Sequence, residues 1–262
     1  MPALPPRLRV AAVTKTYPGT RRVQPLHVLD GVDLEVGADE FVALIGPSGC
    51  GKSTLLNIVS GLEEQSSGSV ALDGDAKAKR LGRIAYMHQR DLLLPWRDVM
   101  GNAVLGLEVA GIDREEARGR AQALLPTFGL AGFERAHPAS LSGGMRQRVA
   151  LLRTMLRGQP TILLDEPFGA LDAITRGSLQ EWLSGVLAEH RRSTLLVTHD
   201  VDEALLLADR VCVMSGRPGR TVTTFDVDIE RPRPQATLVS PRFVALKRAL
   251  LDALAGQAHE AA

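Results

Sequence analysis

FVALIGPSGCGKSTLLNIVSGL, residues 41–62, is the stretch that decides how this sequence folds. Two apolar runs flank a central segment of glycine, proline, serine and one lysine, which are uncommon together in a protein core. Residues 46–53 match the pattern GxxxxGK[ST], in which glycines allow successive backbone N–H groups to turn inward around an anion. A helix beginning near Lys52 would add the positive end of its dipole. The stretch therefore predicts a strand, a phosphate-binding loop and a helix.

This loop predicts a nucleotide site. Lys52 would supply a formal charge for the outer phosphates, and the Ser53 hydroxyl would be a ligand of Mg²⁺. Cys50 is expected to be a small filler of the loop, and its alkylation would block nucleotide binding only if it were accessible. A glycine-rich turn with a surface lysine is the simpler alternative, but the complete motif between a strand and a helix favours phosphate binding. The predicted nucleotide-binding residues in this loop are Gly46, Pro47, Ser48, Gly49, Cys50, Gly51, Lys52, Ser53 and Thr54.

The overall composition argues against several classes of protein. The 262 residues are 45% hydrophobic and 23% charged, with a formal net charge of +1, so neither nucleic-acid binding nor a polybasic membrane anchor is indicated. Cys50 and Cys212 are too far apart in sequence to suggest a disulfide framework. No apolar run approaches the roughly 20 residues of a membrane-spanning helix, and no signal peptide is recognisable. We expect a soluble chain, which is compatible with docking on a membrane protein.

Periodicity along the chain predicts an α/β fold with three parts. Before residue 40, apolar and polar residues alternate as in antiparallel strands, with a turn signal at Asp30-Gly31. Continuous apolar runs such as FVALI, TILLD and STLLV are typical of strands buried in a parallel sheet. Helical spacing dominates from about residue 92 to 157, which predicts an inserted helical subdomain. The main domain would span residues 7–230, followed by a linker and an amphipathic helix over residues 231–262.

The segment TILLDEP places two carboxylates at the end of one predicted strand. Ligands of open α/β sheets bind at this carboxyl edge. Asp165 would hold Mg²⁺, directly or through water, and Glu166 would polarise the water that attacks the outer phosphate. A solvated acidic strand end is the alternative interpretation, and the presence of the phosphate-binding loop in the same chain makes it the less favoured of the two.

The segment LSGGMRQR, residues 141–148, resembles the LSGGQ signature of the ATP-binding cassette (ABC) ATPases. Ser142, Gly143 and Gly144 are predicted to begin a helix, so they offer a hydroxyl, a close backbone approach and a positive dipole end. Met145 departs from the glutamine that the signature usually has. The resemblance implies a P-loop NTPase fold with a RecA-like, mostly parallel core, together with ATP and Mg²⁺ as ligands.

Further residues match the family in order and spacing from Tyr17 to His199. The resemblance implies that Tyr17 stacks on adenine, although it could instead cover the edge of the small β-subdomain. It also implies that Gln89 lies in the Q-loop near Mg²⁺, that Ala170-Leu171-Asp172 form the D-loop, and that His199 contacts the γ-phosphate. A capping or core role is the alternative for His199. Glu166, His199 and Gln89 are thus the predicted catalytic residues.

The same resemblance predicts how the chain works with partners. Each ATP would lie between Lys52 of one copy and Ser142 of another, in a head-to-tail homodimer or a pair with a paralogous ATPase. A separate membrane permease would dock near residues 89–96, where DLLLPW is either an exposed patch or helical core. The chain would lie at the cytoplasmic face of the membrane, with a solute-binding protein acting indirectly and no nucleic acid.

Two runs, DLLLPWRDVMGNAVLGLEVAGI and DEPFGALDAITRGSLQEWL, resemble the nitrate/sulfonate/taurine importer group, which includes importers of thiamine pyrimidine precursors. An importer ATPase for such anions is therefore expected, with the thiamine precursor or another small solute as the alternative. A non-transport ABC ATPase would need a coiled-coil insertion, tandem cassettes or a basic face, none of which is recognisable. A small-molecule P-loop kinase would lack the Ser-Gly-Gly signature.

Overall fold

The computed structural model describes residues 6–20, 24–169, 171–189 and 192–260. The strands in these ranges are β1 (Leu8–Tyr17), β2 (Leu26–Val36), β3 (Phe41–Ile45), β4 (Ser67–Leu72), β5 (Ala85–Met87), β6 (Thr161–Asp165), β7 (Ser193–Val197), β8 (Arg210–Met214) and β9 (Thr221–Asp226). The helices are α1 (Lys52–Ser60), α2 (Val99–Ala103), α3 (Leu105–Val109), α4 (Arg114–Leu124), α5 (Gly143–Leu156), α6 (Ala173–Glu189), α7 (Val201–Leu207) and α8 (Pro241–Glu260).

A six-stranded sheet forms the centre of the molecule, in the order β5-β6-β7-β3-β8-β9. Its strands are parallel except for β9, which pairs antiparallel with β8. Side chains along β3 alternate between two hydrophobic clusters, one on each face of the sheet. Because both faces are covered, β3, β6 and β7 are buried along their whole length, which explains their continuous apolar sequences. The predicted fold class is confirmed.

A three-stranded antiparallel sheet, β2-β1-β4, packs beside this core. The predicted turn at Asp30-Gly31 is wrong, because β2 continues through both residues. Val13 pairs with Val32 and Lys15 pairs with Leu29, so β2 carries one extra residue at this point. Gly31 has a φ of 68°, a left-handed conformation that glycine adopts without strain. The Asp-Gly pair therefore forms a β-bulge within a long strand.

Helices α2 to α5 form the inserted helical subdomain between β5 and β6. The first helical stretch of this subdomain is divided into two short helices, α2 and α3, which meet at Val104, a residue only 1% exposed. Asn102, fully buried, donates its side-chain amide to the carbonyls of Leu94, Arg97 and Asp98 and fixes the start of this subdomain.

The C-terminal helix α8 packs onto the main core, with Phe243, Leu246 and Leu250 in the same hydrophobic cluster as α7 and β8. Arg233, which precedes α8, is buried and donates to the carbonyls of Leu205 and Ala208. Burial lowers the pKa of this guanidinium to about 10. The segment after residue 230 is thus tied to the domain, and the boundary drawn there stays a prediction.

Candidate functional site

The phosphate-binding loop lies at the carboxyl end of β3, and α1 begins at Lys52 as the motif predicts. Gly49 and Gly51 have φ values of 74° and 110°, in the region that favours glycine. A Cβ on Gly51 would also come within 2.7 Å of the Leu29 side chain. These two glycines let the chain turn sharply from strand to helix while β2 packs against it.

Lys52 is only 7% exposed, although it carries a charge. Its Nζ donates hydrogen bonds to the carbonyls of Gly46 at 2.8 Å and Pro47 at 2.9 Å. A buried ammonium needs such partners. The two bonds hold the charge over the loop, at the start of α1, where the helix dipole also favours an anion.

Asp165, at the end of β6, is 4% exposed and lies beside the loop. The Ser53 hydroxyl donates to Asp165 Oδ1 at 3.3 Å, and the Tyr86 hydroxyl lies 3.4 Å from Oδ2. Burial raises the pKa of the Asp165 carboxyl above its ordinary value, and the neighbouring Glu166 acts in the same direction. Burial together with the Asp165 charge also raises the pKa of Tyr86, so this phenol stays a donor.

Glu166 lies where the chain leaves β6 and is held from three sides. Its backbone has a φ of 45°, unusual for a residue with a side chain, and its N–H donates to the carbonyl of Val197 at 2.8 Å. Gln89 Nε2 donates to Glu166 Oε2 at 3.0 Å. His199 Nδ1 lies 3.4 Å from the other carboxylate oxygen. The three predicted catalytic side chains therefore form one contiguous group.

One cavity of 570 Å³ brings most of the predicted residues together. It joins the loop, the Glu166 group and Tyr17, which also packs partly against the core of the antiparallel sheet. Its lining residues are Tyr17, Leu26, Val28, Ser48, Gly49, Gly51, Lys52, Ser53, Thr54, Gln89, Glu166, His199 and Arg217.

Three predicted loop residues, Gly46, Pro47 and Cys50, support the cavity without lining it. Cys50 is 1% exposed and packs in the core, as expected for a small filler. The accessibility on which its predicted alkylation depended is not met. Gly46 is equally constrained, since a Cβ there would lie 3.0 Å from Met214.

The signature residues lie outside the lining of this cavity. Ser142 is exposed and caps α5, accepting the N–H of Met145 at 3.2 Å. Gly143 and Gly144 form the first turn of α5, and a Cβ on Gly144 would come within 2.8 Å of Thr175. The start of α5 thus packs beside α6 and takes no part in this cavity.

Asp172 of the predicted D-loop is also exposed and accepts the N–H of Thr175 at 3.0 Å. This backbone bond lowers the pKa of the Asp172 carboxyl. Leu171 is buried in the core, and Ala170 lies outside the described residues.

The DLLLPW segment is partly an exposed patch and partly core, so each of the two interpretations of its sequence holds for some of its residues. Leu93 packs against the core, whereas Leu92 is 52% and Trp96 73% exposed. Leu92 lines a groove of 450 Å³ between the main core and the helical subdomain, with the exposed Leu62 and Leu81 on the same groove. We call it the interdomain groove; its lining residues are Ser60, Leu62, Leu81, Gly82, Ile84, Ala85, Tyr86, His88, Leu92, Leu105, Gly106, Arg153, Thr154 and Arg157.

Sequence reasoning missed several residues of the site. The Tyr86 hydroxyl lies 3.2 Å from Asn57 Oδ1 and 3.4 Å from Asp165 Oδ2, so Asn57 helps to position the phenol that contacts Asp165. Arg217 reaches the cavity from the loop between β8 and β9. None of them belongs to a local pattern that identifies a site, since their positions follow from how the strands are arranged.

Among the described residues, no group of three or more His, Cys, Asp or Glu side chains could hold a metal ion by itself. Of the helices in the described ranges, none has the length and apolar character needed to cross a membrane.

Known proteins resemble this chain in sequence and in fold. A protein-family model described as ABC transporter matches residues 29–169. The taurine import ATP-binding protein of Rhizobium johnstonii is 42% identical over 227 residues, which cover 85% of this chain and 87% of that protein. The aliphatic sulfonates import ATP-binding protein 1 of Rhodococcus jostii is 46% identical over 233 residues, 89% of each chain. A bacterial ABC transporter cassette solved as a dimer superposes with a TM-score of 0.74 at 30% identity, covering 85% of this chain and 100% of that one.

Proposed function

The chain belongs to the ABC transporter family, and on that premise we propose that it is the ATP-hydrolysing subunit of an importer for taurine- or sulfonate-type anions. The observation that carries the proposal is the Glu166 group. A carboxylate held by Gln89 and His199 lines the same cavity as Lys52 and the phosphate-binding loop. This cavity can therefore hold a polyphosphate and activate water beside it.

Phosphate binding would depend on the loop and on Lys52. Backbone N–H groups from Gly49 to Thr54 would surround the inner phosphates, as loops of this pattern do. The Lys52 ammonium donates to two carbonyls and makes a third, weak contact with Cys50 Sγ at 3.8 Å, and this third donor would turn to an outer phosphate oxygen. Tyr17 lines the same cavity and would stack on the base.

The oxygen ligands beside the loop fit Mg²⁺. Ser53 Oγ and Asp165 Oδ1 are already 3.3 Å apart, and Gln89 can turn its amide oxygen toward them. Mg²⁺ is usually bound through one or two carboxylates together with waters and phosphate oxygens, so no larger acidic cluster is required. Ser53, Asp165 and Gln89 would hold the ion, which when bound neutralises charge on the phosphates.

Glu166 would act as the general base. Its carboxylate takes a proton from water as the water attacks, while Gln89 and His199 keep it oriented toward the cavity. The backbone bond to Val197 fixes the turn that carries it. His199 is exposed at the cavity and would also contact the terminal phosphate.

We also propose that two chains share each ATP. The Ser142 helix start does not line the cavity, yet it offers an exposed serine at the positive end of the α5 dipole, which favours an anion. Two solved structures of the same related bacterial cassette support this arrangement, since both are dimeric and one of them is bound to ADP and phosphate. A head-to-tail dimer would place Ser142 and Asp172 of one copy at the nucleotide of the other.

The interdomain groove is the proposed docking site for the membrane permease. It exposes three leucines and is lined by His88, which precedes Gln89 in the sequence, so movement at the nucleotide would reach whatever occupies the groove. The chain would then act at the cytoplasmic face of the membrane, with a solute-binding protein delivering the anion.

Reconstitution tests this function directly. The chain is co-expressed with a permease pair from a taurine or sulfonate importer, and we expect it to sediment with membranes and to hydrolyse ATP faster when binding protein and anion are added. Leu92→Asp should abolish both the sedimentation with membranes and the faster hydrolysis. The matched change Val239→Asp, at a residue 83% exposed in the C-terminal segment, should abolish neither. Stimulation by a thiamine pyrimidine precursor, rather than by the anion, would assign the importer to that solute instead. Phosphorylation of a metabolite, or activity that depends on DNA or RNA, would contradict the proposal.

A further inference from the structure

The loop between β8 and β9 contacts the phosphate-binding loop from outside. Residues 217–220, Arg-Pro-Gly-Arg, are here called the RPGR loop. The N–H of Gly219 donates to the carbonyl of Val28 at 2.8 Å, and Gly219 accepts the N–H of Asp30 at 3.0 Å. The loop is thereby bound to β2, next to the nucleotide cavity.

Gly219 passes so close to the phosphate-binding loop that no side chain fits. A Cβ at this position would lie 2.3 Å from the carbonyl oxygen of Cys50 and 2.7 Å from Met214. Because both β2 and Cys50 are packed in the core, this contact cannot open without moving the loop. The RPGR loop therefore holds a fixed position relative to Cys50.

Arg217 uses that position to bind a backbone group of the phosphate-binding loop. Its Nε and Nη2 both donate to the Gly49 carbonyl, at 3.0 Å and 2.9 Å. Two donors from one planar, charged group on a single oxygen define the direction of that carbonyl. Arg217 is itself exposed and lines the nucleotide cavity.

The direction of the Gly49 carbonyl sets the direction of the next N–H. In a trans peptide the C=O of Gly49 and the N–H of Cys50 point in opposite directions. With the Gly49 carbonyl held by Arg217, the Cys50 N–H points away from Arg217 and donates to the Pro47 carbonyl at 3.3 Å, a long bond that a phosphate oxygen would replace. In loops of this pattern the inward N–H groups bind the α- and β-phosphates.

We propose that Arg217 is a positioning residue of the phosphate-binding loop, which tightens binding of nucleoside di- and triphosphates by fixing the Gly49–Cys50 peptide. This inference rests on the proposed function, since it concerns the same nucleotide. Arg217 acts on the inner phosphates, so ADP and ATP depend on it equally, and adenosine does not.

Nucleotide titration of the full chain tests the proposal, with fluorescent ATP and ADP analogues and with adenosine as competitor. Arg217→Ala should raise the Kd of both nucleotides about tenfold, which corresponds to ~1.4 kcal/mol for a charge-assisted hydrogen bond. Arg217→Lys, with a point charge that cannot form the planar two-donor contact, should fall between Ala and wild type. Arg220→Ala is the matched control, because Arg220 lies in the same loop and pairs with Asp30 instead. Its Kd should stay within about twofold of wild type.

Steady-state rates and melting curves separate positioning from plain stabilisation. Arg217→Ala should raise KM for ATP with kcat nearly unchanged, and adenosine affinity should not move. A Kd within twofold of wild type for Arg217→Ala, or an equal loss in Arg220→Ala, would overturn the proposal. If Arg217→Ala fails to fold, Arg217→Lys decides alone: an unchanged Kd overturns the inference and a clear rise supports it. If wild type binds no ATP, or Lys52→Ala binds it normally, the proposed function fails first and this inference with it.

Discussion

Replacing Glu166 with glutamine isolates the proposed chemical step. The two side chains have the same shape, and both carry a Cβ, so the left-handed φ of 45° at this position is no harder to adopt in the variant. The glutamine carbonyl can still accept the Gln89 amide that now bonds Glu166 Oε2 at 3.0 Å. The substitution removes the negative charge and, with it, the capacity to take a proton. We therefore expect ATP binding to survive and hydrolysis to fail.

The size of the loss follows from the role. A positioned general base contributes about 10²- to 10⁴-fold, so the barrier should rise by ~3–5 kcal/mol at 1.36 kcal/mol per factor of ten. Phosphate release from ATP, measured in single turnover on the chain with its permease, gives this number directly. Since ATP would remain unhydrolysed between two copies, the variant should also elute as a dimer in the presence of ATP.

Glu181→Gln is the matched control, because Glu181 is exposed on α6 and its substitution removes the same charge at a position away from the cavity. It should hydrolyse ATP at the wild-type rate. If Glu166→Gln turned over ATP within a few-fold of wild type, Glu166 would not be the base. If it lost ATP binding instead, the assignment of Glu166 to chemistry rather than binding would be incorrect.

Three further changes test other parts of the site. Lys52→Ala should lose nucleotide binding, measured by titration, because the charge over the loop disappears; near-normal affinity would contradict its role. Ser142→Arg should leave ATP binding to the isolated chain intact yet abolish hydrolysis, whereas Ser142→Ala, which removes the hydroxyl without adding bulk or charge, should keep measurable hydrolysis; loss of monomer binding in Ser142→Arg would refute the division between two copies. Glu203 is 3% exposed, accepts the Thr198 hydroxyl at 3.0 Å, and has its pKa raised from 4.5 to about 8 by burial. Its contribution to the free energy of unfolding therefore falls as pH rises from about 4.5 to about 8, so Glu203→Gln should gain stability relative to wild type between pH 5 and pH 8 in denaturant titrations; a difference that does not change with pH would contradict this.

Sequence by itself determined the parts of this protein whose geometry is local. The φ values of Gly49 and Gly51 and the helix that starts at Lys52 follow from neighbouring residues, because backbone conformation depends mainly on the residue and its immediate neighbours. The continuous apolar sequence of β6 predicted a strand buried on both faces, and the acidic residue at its end predicted the edge of the sheet where the site lies.

Tertiary structure alone decided which distant groups meet. Arg217 contacts Gly49 across 168 residues of sequence, and Tyr86 reaches Asp165 across 79. An Asp-Gly pair fits a turn and a bulge equally well, and only the pairing of β2 with β1 made the bulge at Gly31. Likewise, only the packing of the helical subdomain leaves Leu92 exposed while the neighbouring Leu93 packs against the core. Strand register and packing between elements fix such contacts, and they depend on the whole chain rather than on any one segment.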